Sequence, residues 1–273
     1  MNLMDFLQRI KYGNHDDCKK CPWNPKQNNL SAFGVSCVKH GVDWSVQDTV
    51  VSVLIAQDPA RTTPEKTGNL CVVCNSKFAT DNSAQHGYFL WKAAVSLSQT
   101  GQDANRYMKN HYWTNAIMHG VEDKQREKAR ACCKNILNEQ LTLLSPQIII
   151  ATGKVASESL YELGIISKQW DDFNQTFSNG VYSEQTTLPS GKKATVYCTY
   201  HSAARSVNTH VARLYSENTK KLLAQRIEQL PDASSAQYFL RQHQGFTGED
   251  MGMKVLLLHW LEIGEGIRSA SAF

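Results

Sequence analysis

Two short runs limit the fold more than anything else in the chain. Thr49-Val50-Val51-Ser52-Val53-Leu54-Ile55-Ala56 and Gln147-Ile148-Ile149-Ile150-Ala151-Thr152 are apolar at nearly every position and rich in β-branched side chains. A strand with one wet face alternates apolar and polar residues, so a near-continuous run reads as a strand covered on both faces, as in a parallel sheet. Parallel neighbours need crossover connections, usually helices. The sequence supplies them. Tyr88-Phe89-Leu90-Trp91-Lys92-Ala93-Ala94-Val95-Ser96-Leu97 has helical spacing, and a helix is expected from about Lys124 to Leu144, stopping before Pro146. Gly153 turns the Ile-rich strand into a helix over Lys154–Leu163, and another spans about Asn208 to Ile227. Tyr112-Trp113-Thr114-Asn115-Ala116-Ile117 and Lys193-Ala194-Thr195-Val196-Tyr197-Cys198-Thr199-Tyr200 read as further strands. Strands alternating with helices imply a three-layer α/β/α domain around a central, mostly parallel sheet.

This α/β core falls in residues 51–227. Residues 1–50, rich in Asn, Lys, Cys and Trp, show little periodicity and read as an N-terminal segment packed on the core. After Pro231 the texture changes, and residues 228–273, with the apolar element Lys254–Leu261, read as a C-terminal appendage. With 41% hydrophobic and 20% charged residues among 273, the chain can bury a sizeable core and is too apolar to be disordered. No apolar run approaches the roughly 18 residues of a membrane span. Asp5 and Arg9 interrupt the apolar stretch that a signal peptide needs. The expectation is a cytoplasmic monomer with no membrane partner. A net charge of +4 permits a nucleic-acid partner without demanding one. The run Lys124-Gln125-Arg126-Glu127-Lys128-Ala129-Arg130 could touch backbone phosphates, but mixed charge on a helix face is more often simply solvated.

In an open parallel sheet, ligands bind beyond the carboxyl ends of the strands. Polar residues gather there: Gln57-Asp58-Pro59-Ala60-Arg61 after the first strand, Asn115 within the second, and His201-Ser202-Ala203-Ala204-Arg205-Ser206 after the last. Singly, an Asp before Pro is commonly a turn residue and a strand-end His is commonly structural. Jointly they offer an acid/base, an amide that reads hydrogen-bonding edges and an imidazole donor.

The order and spacing of these segments resemble the uracil-DNA glycosylase superfamily over roughly residues 15–226. Gln57-Asp58-Pro59 is similar to its water-activating loop, and Thr114-Asn115-Ala116 to the strand carrying its base-reading Asn. His201–Ser206 occupies the place of the His-Pro-Ser motif that enters the minor groove. The segment Leu144–Ala156 is similar to the Pro-strand-Gly-x-x-Ala segment of the iron–sulfur branch.

What the resemblance implies is a DNA glycosylase that flips out a pyrimidine and hydrolyses its N-glycosidic bond, leaving an abasic site. It implies that Asp58 orients water and stabilises an oxocarbenium-like sugar, and that His201 hydrogen-bonds the base O2 as charge develops there. Asn115 would read the Watson–Crick edge, with Gln57 beside it in the base pocket. Arg205 would fill the gap left by the flipped nucleotide or hold a phosphate. Arg61, Lys154, Ser202 and Ser206 are further phosphate-contact candidates.

Departures from the family pattern bear on specificity. Ala60 stands where the uracil-specific branch places a Tyr that crowds the pyrimidine C5. The stacking Phe of the relatives would fall within Leu70-Cys71-Val72-Val73, making Val72 the base-facing candidate, and Ser202 replaces the Pro of His-Pro-Ser. These changes imply a pocket open at C5. The base removed is then uracil or, by preference, a 5-substituted pyrimidine, including the bulky modified cytosines of some phage DNA, in base-excision repair or defence against phage. The alternative is a nucleic-acid-binding protein that keeps the fold and has lost catalysis. Retention of Asp58, Asn115 and His201 together favours the enzyme.

Eight cysteines in a cytosolic chain do not read as a disulfide framework. Cys18-Lys19-Lys20-Cys21-Pro22 resembles the pair that supplies two cluster ligands in the iron–sulfur branch, and Cys133, with Cys132 beside it, fits the fourth place. At the third place stands His119. Imidazole replaces thiolate in Rieske centres, so the resemblance implies a [4Fe-4S] cluster on Cys18, Cys21, His119 and Cys133, with Cys37 as another candidate ligand. Zinc on Cys18, Cys21, Cys71 and Cys74 stays open, as do metal-free buried thiols. His119 has a second reading, as a pocket residue against the flipped base.

Overall fold

The structure, a computed structural model, describes residues 3–24, 50–58, 82–97, 110–174, 177–201, 217–229 and 251–271. Its strands are β1 (Ser52–Ala56), β2 (His111–Asn115), β3 (Ile148–Thr152), β4 (Tyr182–Thr187) and β5 (Lys193–Thr199). They form one sheet in the order β2-β1-β3-β5-β4, with β4 antiparallel to β5 and the other pairs parallel. β2 and β3 are buried at every position. The helices are α1 (Leu3–Lys11), α2 (Asp16–Lys20), α3 (Asn82–Ser96), α4 (Arg126–Leu144), α5 (Gly153–Glu162), α6 (Trp170–Asn174), α7 (Glu217–Glu228) and α8 (Met251–Ser271).

Alternation along the strands assigns these helices to two layers. On one face of β2, Thr114 donates to the Gln140 amide oxygen at 2.8 Å, and the Gln140 amide nitrogen donates to the Tyr112 hydroxyl at 2.8 Å, which joins the strand to α4. On the other face, His111 shares a 2.7 Å hydrogen bond with Ser52, and Trp113 meets Trp91 of α3 edge to face. In β5, Thr199 bonds to His259 of α8 at 2.9 Å, whereas the neighbouring Cys198 meets Ser157 of α5. Thus α3 and α8 cover one face, and α4 and α5 the other. α8 also packs on α3 and α7, while α1 and α2 pack on α4.

Three features differ from the sequence expectation or extend it. Within the weakly periodic N-terminal stretch, Leu3, Phe6, Leu7 and Ile10 are all buried and share one face of α1. The helical signal is confined to nine residues and is diluted over fifty. β4 was not expected, because Tyr-Ser-Glu-Gln-Thr-Thr at a sheet edge has no buried face to advertise. Its hairpin to β5 is closed by the Leu188 and Lys192 backbones at 2.8 Å. The C-terminal apolar stretch becomes α8, whose Val255, Leu256, Leu258, Trp260, Leu261, Ile263 and Ile267 lie in the same hydrophobic core as the sheet. Close approach explains Gly266: a Cβ there would strike the Tyr197 hydroxyl of β5. Among the described residues no helix is long and apolar enough to cross a membrane.

Two buried imidazoles make this fold sensitive to acid. Burial pushes His111 down to about 3 from 6.5. His259, which donates to the Phe177 carbonyl at 2.7 Å, is pushed down to about 4 by burial, against the opposing effect of its backbone hydrogen bonds. Both are neutral in the folded chain and protonate freely once it unfolds. Their contribution is therefore intact above pH 6.5 and is lost as pH falls from there towards about 4 for His259 and about 3 for His111. Urea midpoints measured across that window should fall steeply, and His111→Gln should shorten the fall. A midpoint independent of pH would contradict the burial of these rings.

Candidate active site

Register brings the predicted site residues to one edge. Ala56 is opposite Asn115, Ile55 is opposite Ala151, and Thr152 is opposite Thr199. Residues 57–58, Asn115, Gly153 and His201 therefore leave the sheet at the same end. The ladder continues past β1 and β2, with Ala116 N–H donating to the Ala56 carbonyl at 2.8 Å and Ile117 N–H to the Gln57 carbonyl at 3.0 Å. This extension fixes the backbone of Gln57 next to Asp58. Asn115 is buried at the end of β2, and His201 is half-buried two residues after β5.

Gly153 sets the seat of His201. Its φ of +82° is left-handed, and a Cβ on it would lie 3.0 Å from the His201 Cβ. Only glycine meets both demands without strain. Lys154 follows in the first turn of α5, exposed at the same edge, with its ammonium 3.5 Å from Asp171.

Asp58 lies in a cationic and amide-lined corner. Its side chain is only 9% exposed, and Oδ1 accepts from the Gln57 amide at 2.7 Å. Arg126, the first residue of α4, places Nε 3.4 Å from the same oxygen and Nη1 2.9 Å from Asp123. No sequence pattern signals this contact, since Arg126 sits in a mixed-charge run that looks solvated. Arg130 of the same run is also turned inward, pairing with Glu127 at 2.8 Å and Glu162 at 3.0 Å.

A group of thiols lies where α2 packs on α4. His15 caps α2 by accepting from Asp17 N–H, and its Nε2 meets Glu139 of α4 at 3.0 Å. This clasp lays Cys18 and Cys21 beside Cys132 and Cys133. Burial pushes the Cys18 thiol up to about 12 and Cys21 up to about 11, with Cys132 adding to both effects. Cys133 is pushed up further by burial, although its sulfur accepts from Met118 N–H at 3.5 Å. The four residues are thiol donors, and Cys132 lies within hydrogen-bonding reach of Cys21. Among the described residues no group of three or more His, Cys, Asp or Glu could hold a metal ion as it stands. His119, one residue after Met118, is buried, and that burial lowers it to about 4, so its imidazole is neutral. Ala60, Arg61, Val72, Ser202, Arg205 and Ser206 lie outside the described residues, as do Cys37, Cys71 and Cys74.

The family model described as Uracil DNA glycosylase superfamily matches residues 46–230, a span that contains β1 through β5 and the whole polar edge. No curated protein matches the chain.

The seat of His201 is testable without any assay of function. Gly153→Ala should lose roughly 1–2 kcal/mol from the left-handed backbone alone, and more from crowding His201. Gly164 is the control: its φ is +69° and nothing lies within 4 Å of where its Cβ would be. Denaturation should show Gly153→Ala clearly less stable than Gly164→Ala. Equal losses would mean that residue 153 and His201 are not in contact.

Proposed function

The chain belongs to the uracil DNA glycosylase superfamily, and we propose that it is a DNA glycosylase acting on a flipped-out pyrimidine at the carboxyl edge of the sheet. The observation that carries this reading is the convergence of Asp58, Asn115 and His201 at that edge through the β1–β2 and β3–β5 registers. A base within a duplex must leave the stack before its glycosidic bond is reachable. Asn115, buried at the end of β2, reads the edge of that base. As the C1′–N bond breaks, its electron pair leaves with the base and positive charge remains on the sugar. His201 donates to the base O2, where negative charge collects. Asp58 faces the cationic sugar and receives a proton from the water that adds to C1′.

Specificity in this reading follows from Ala60. A small residue beside C5 leaves room for a substituent, and an open apolar wall discriminates weakly against an added group. The substrate is a 5-substituted pyrimidine at least as readily as uracil, and the modified cytosines of phage DNA fit such a wall, in the setting of defence. The protein works as a cytoplasmic monomer on DNA. Ser202, Arg205, Ser206, Arg61 and Lys154 are the proposed phosphate contacts and Val72 the proposed base contact, from their places in the family pattern.

A [4Fe-4S] group is the proposed cofactor, supported by the proximity of Cys18, Cys21, Cys132 and Cys133. Cys18, Cys21 and Cys133 supply three ligands, and His119 or Cys132 the fourth. When bound, the group supplies a covalent staple between α2 and α4 and takes no part in bond cleavage.

Two experiments test these readings. In single-turnover assays on duplexes carrying uracil, thymine or a 5-substituted cytosine, a modified pyrimidine should be excised at least as fast as uracil. Asp58→Asn and His201→Ala should each lower the rate about 10²-fold or more, the scale for removing one transition-state stabiliser. DNA binding without any abasic product would support the non-catalytic alternative. Protein purified without oxygen should be brown and contain iron and sulfide, with Cys18→Ser and Cys21→Ser losing both. Colourless, folded protein that contains zinc or no metal would reject the cluster.

A further inference from the structure

We propose that Arg126 is a positioning residue that fixes the orientation of the Asp58 carboxylate, an inference that rests on the reading of Asp58 as the water-orienting group. The two residues are far apart in sequence and are brought together by the turn that starts α4. That turn is rigid: Asp123–Gln125 form one turn of 3-10 helix closed by a capping box, in which Glu122 N–H donates to the Gln125 amide oxygen at 3.1 Å. The guanidinium then has two arms. Nη1 is tethered to Asp123, whose side chain is 89% exposed, at 2.9 Å. An exposed pair of this kind contributes little to stability, but it points the other arm inward.

The inward arm meets a carboxylate that needs a counterion. Asp58 is 9% exposed at its side chain, and a buried carboxylate is costly unless it is paired. Among the described residues, Arg126 Nε is buried, has no hydrogen-bond partner, and stands 3.4 Å from Oδ1. Contacts of this length commonly tighten when substrate closes a site. Gln57 donates to the same oxygen at 2.7 Å. Both neighbours thus act on Oδ1, and among the described residues Oδ2 is left to accept from water. A carboxylate held on one oxygen by an amide and a guanidinium presents the other in a fixed direction. Arg126 thereby sets where the attacking water sits and touches neither base nor sugar.

A double-mutant cycle with Asp58→Asn tests this. Misplacing a reacting group by an ångström costs up to about 10²-fold, so Arg126→Met should slow excision at saturating DNA by roughly 10-fold or more. DNA affinity should stay close to that of the wild type. Arg126→Lys keeps the charge and cannot span both carboxylates, so it should remain well below the wild-type rate. In the Asp58→Asn background, Arg126→Met should have no further effect on rate. An equal loss in that background, or a loss of DNA affinity matching the loss of rate, would overturn the proposal. If the wild-type protein excises no base from the panel, the glycosylase reading fails by itself. Thermal denaturation of the same four proteins then decides the pairing: non-additive shifts in melting temperature support it, and additive shifts reject it.

Discussion

Burial of β1 and β3 on both faces fixes the register of the parallel strands, and the site is a consequence of that register. A slip of one residue would turn Tyr112 and Thr114 away from Gln140, and His111 away from Ser52. These bonds lie inside the protein, where an unpaired polar group is costly. They lock β2 against β1 with Asn115 level with Ala56. From there the chain has no freedom over where Asp58 begins. On the far side of β1, Thr152 donates to the Ile55 carbonyl at 3.1 Å and sets β3 in the same way, with Gly153 under His201.

The two edges of the sheet are built from different chemistry. At the amino edge, His111, Ser52 and Trp91 form a neutral network in which the hydroxyl of Ser52 joins the two rings. Burial holds that imidazole uncharged. The carboxyl edge carries acidic and basic side chains in contact with one another, Asp58 with Arg126, and Lys154 with Asp171. α2 is held elsewhere: His15 and Glu139 clasp it to α4, with the thiols beside that clasp.

The buried elements were legible because burial writes a strong pattern. Ile148-Ile149-Ile150 has one reading, and Pro146 ends the preceding helix at Ser145, whose φ of 42° marks the cap. Asp58, Asn115 and His201 were legible from their places at strand ends, and the structure does bring these three segments to one edge. Arg126 was not legible, because a mixed-charge helical run looks the same whether one of its members turns inward or all face water. The contact depends on a capping box and on a partner in a distant loop, neither visible as periodicity. Cys132 and Cys133 were both visible as neighbours at the fourth place, with Cys133 the expected ligand. They point about 100° apart on the helix, and the packing of α2 brings Cys21 against Cys132 as well.

The central claim is that the carboxyl edge receives a nucleotide rotated out of its duplex. A crystal structure of the Asp58→Asn protein with a duplex carrying a 5-substituted pyrimidine tests it most directly. The account predicts one extrahelical nucleotide, its base against Asn115 and His201 and its C1′ facing residue 58, with phosphates along residues 154 and 202–206. A duplex left fully stacked, or bound at the amino edge beside His111, would contradict it.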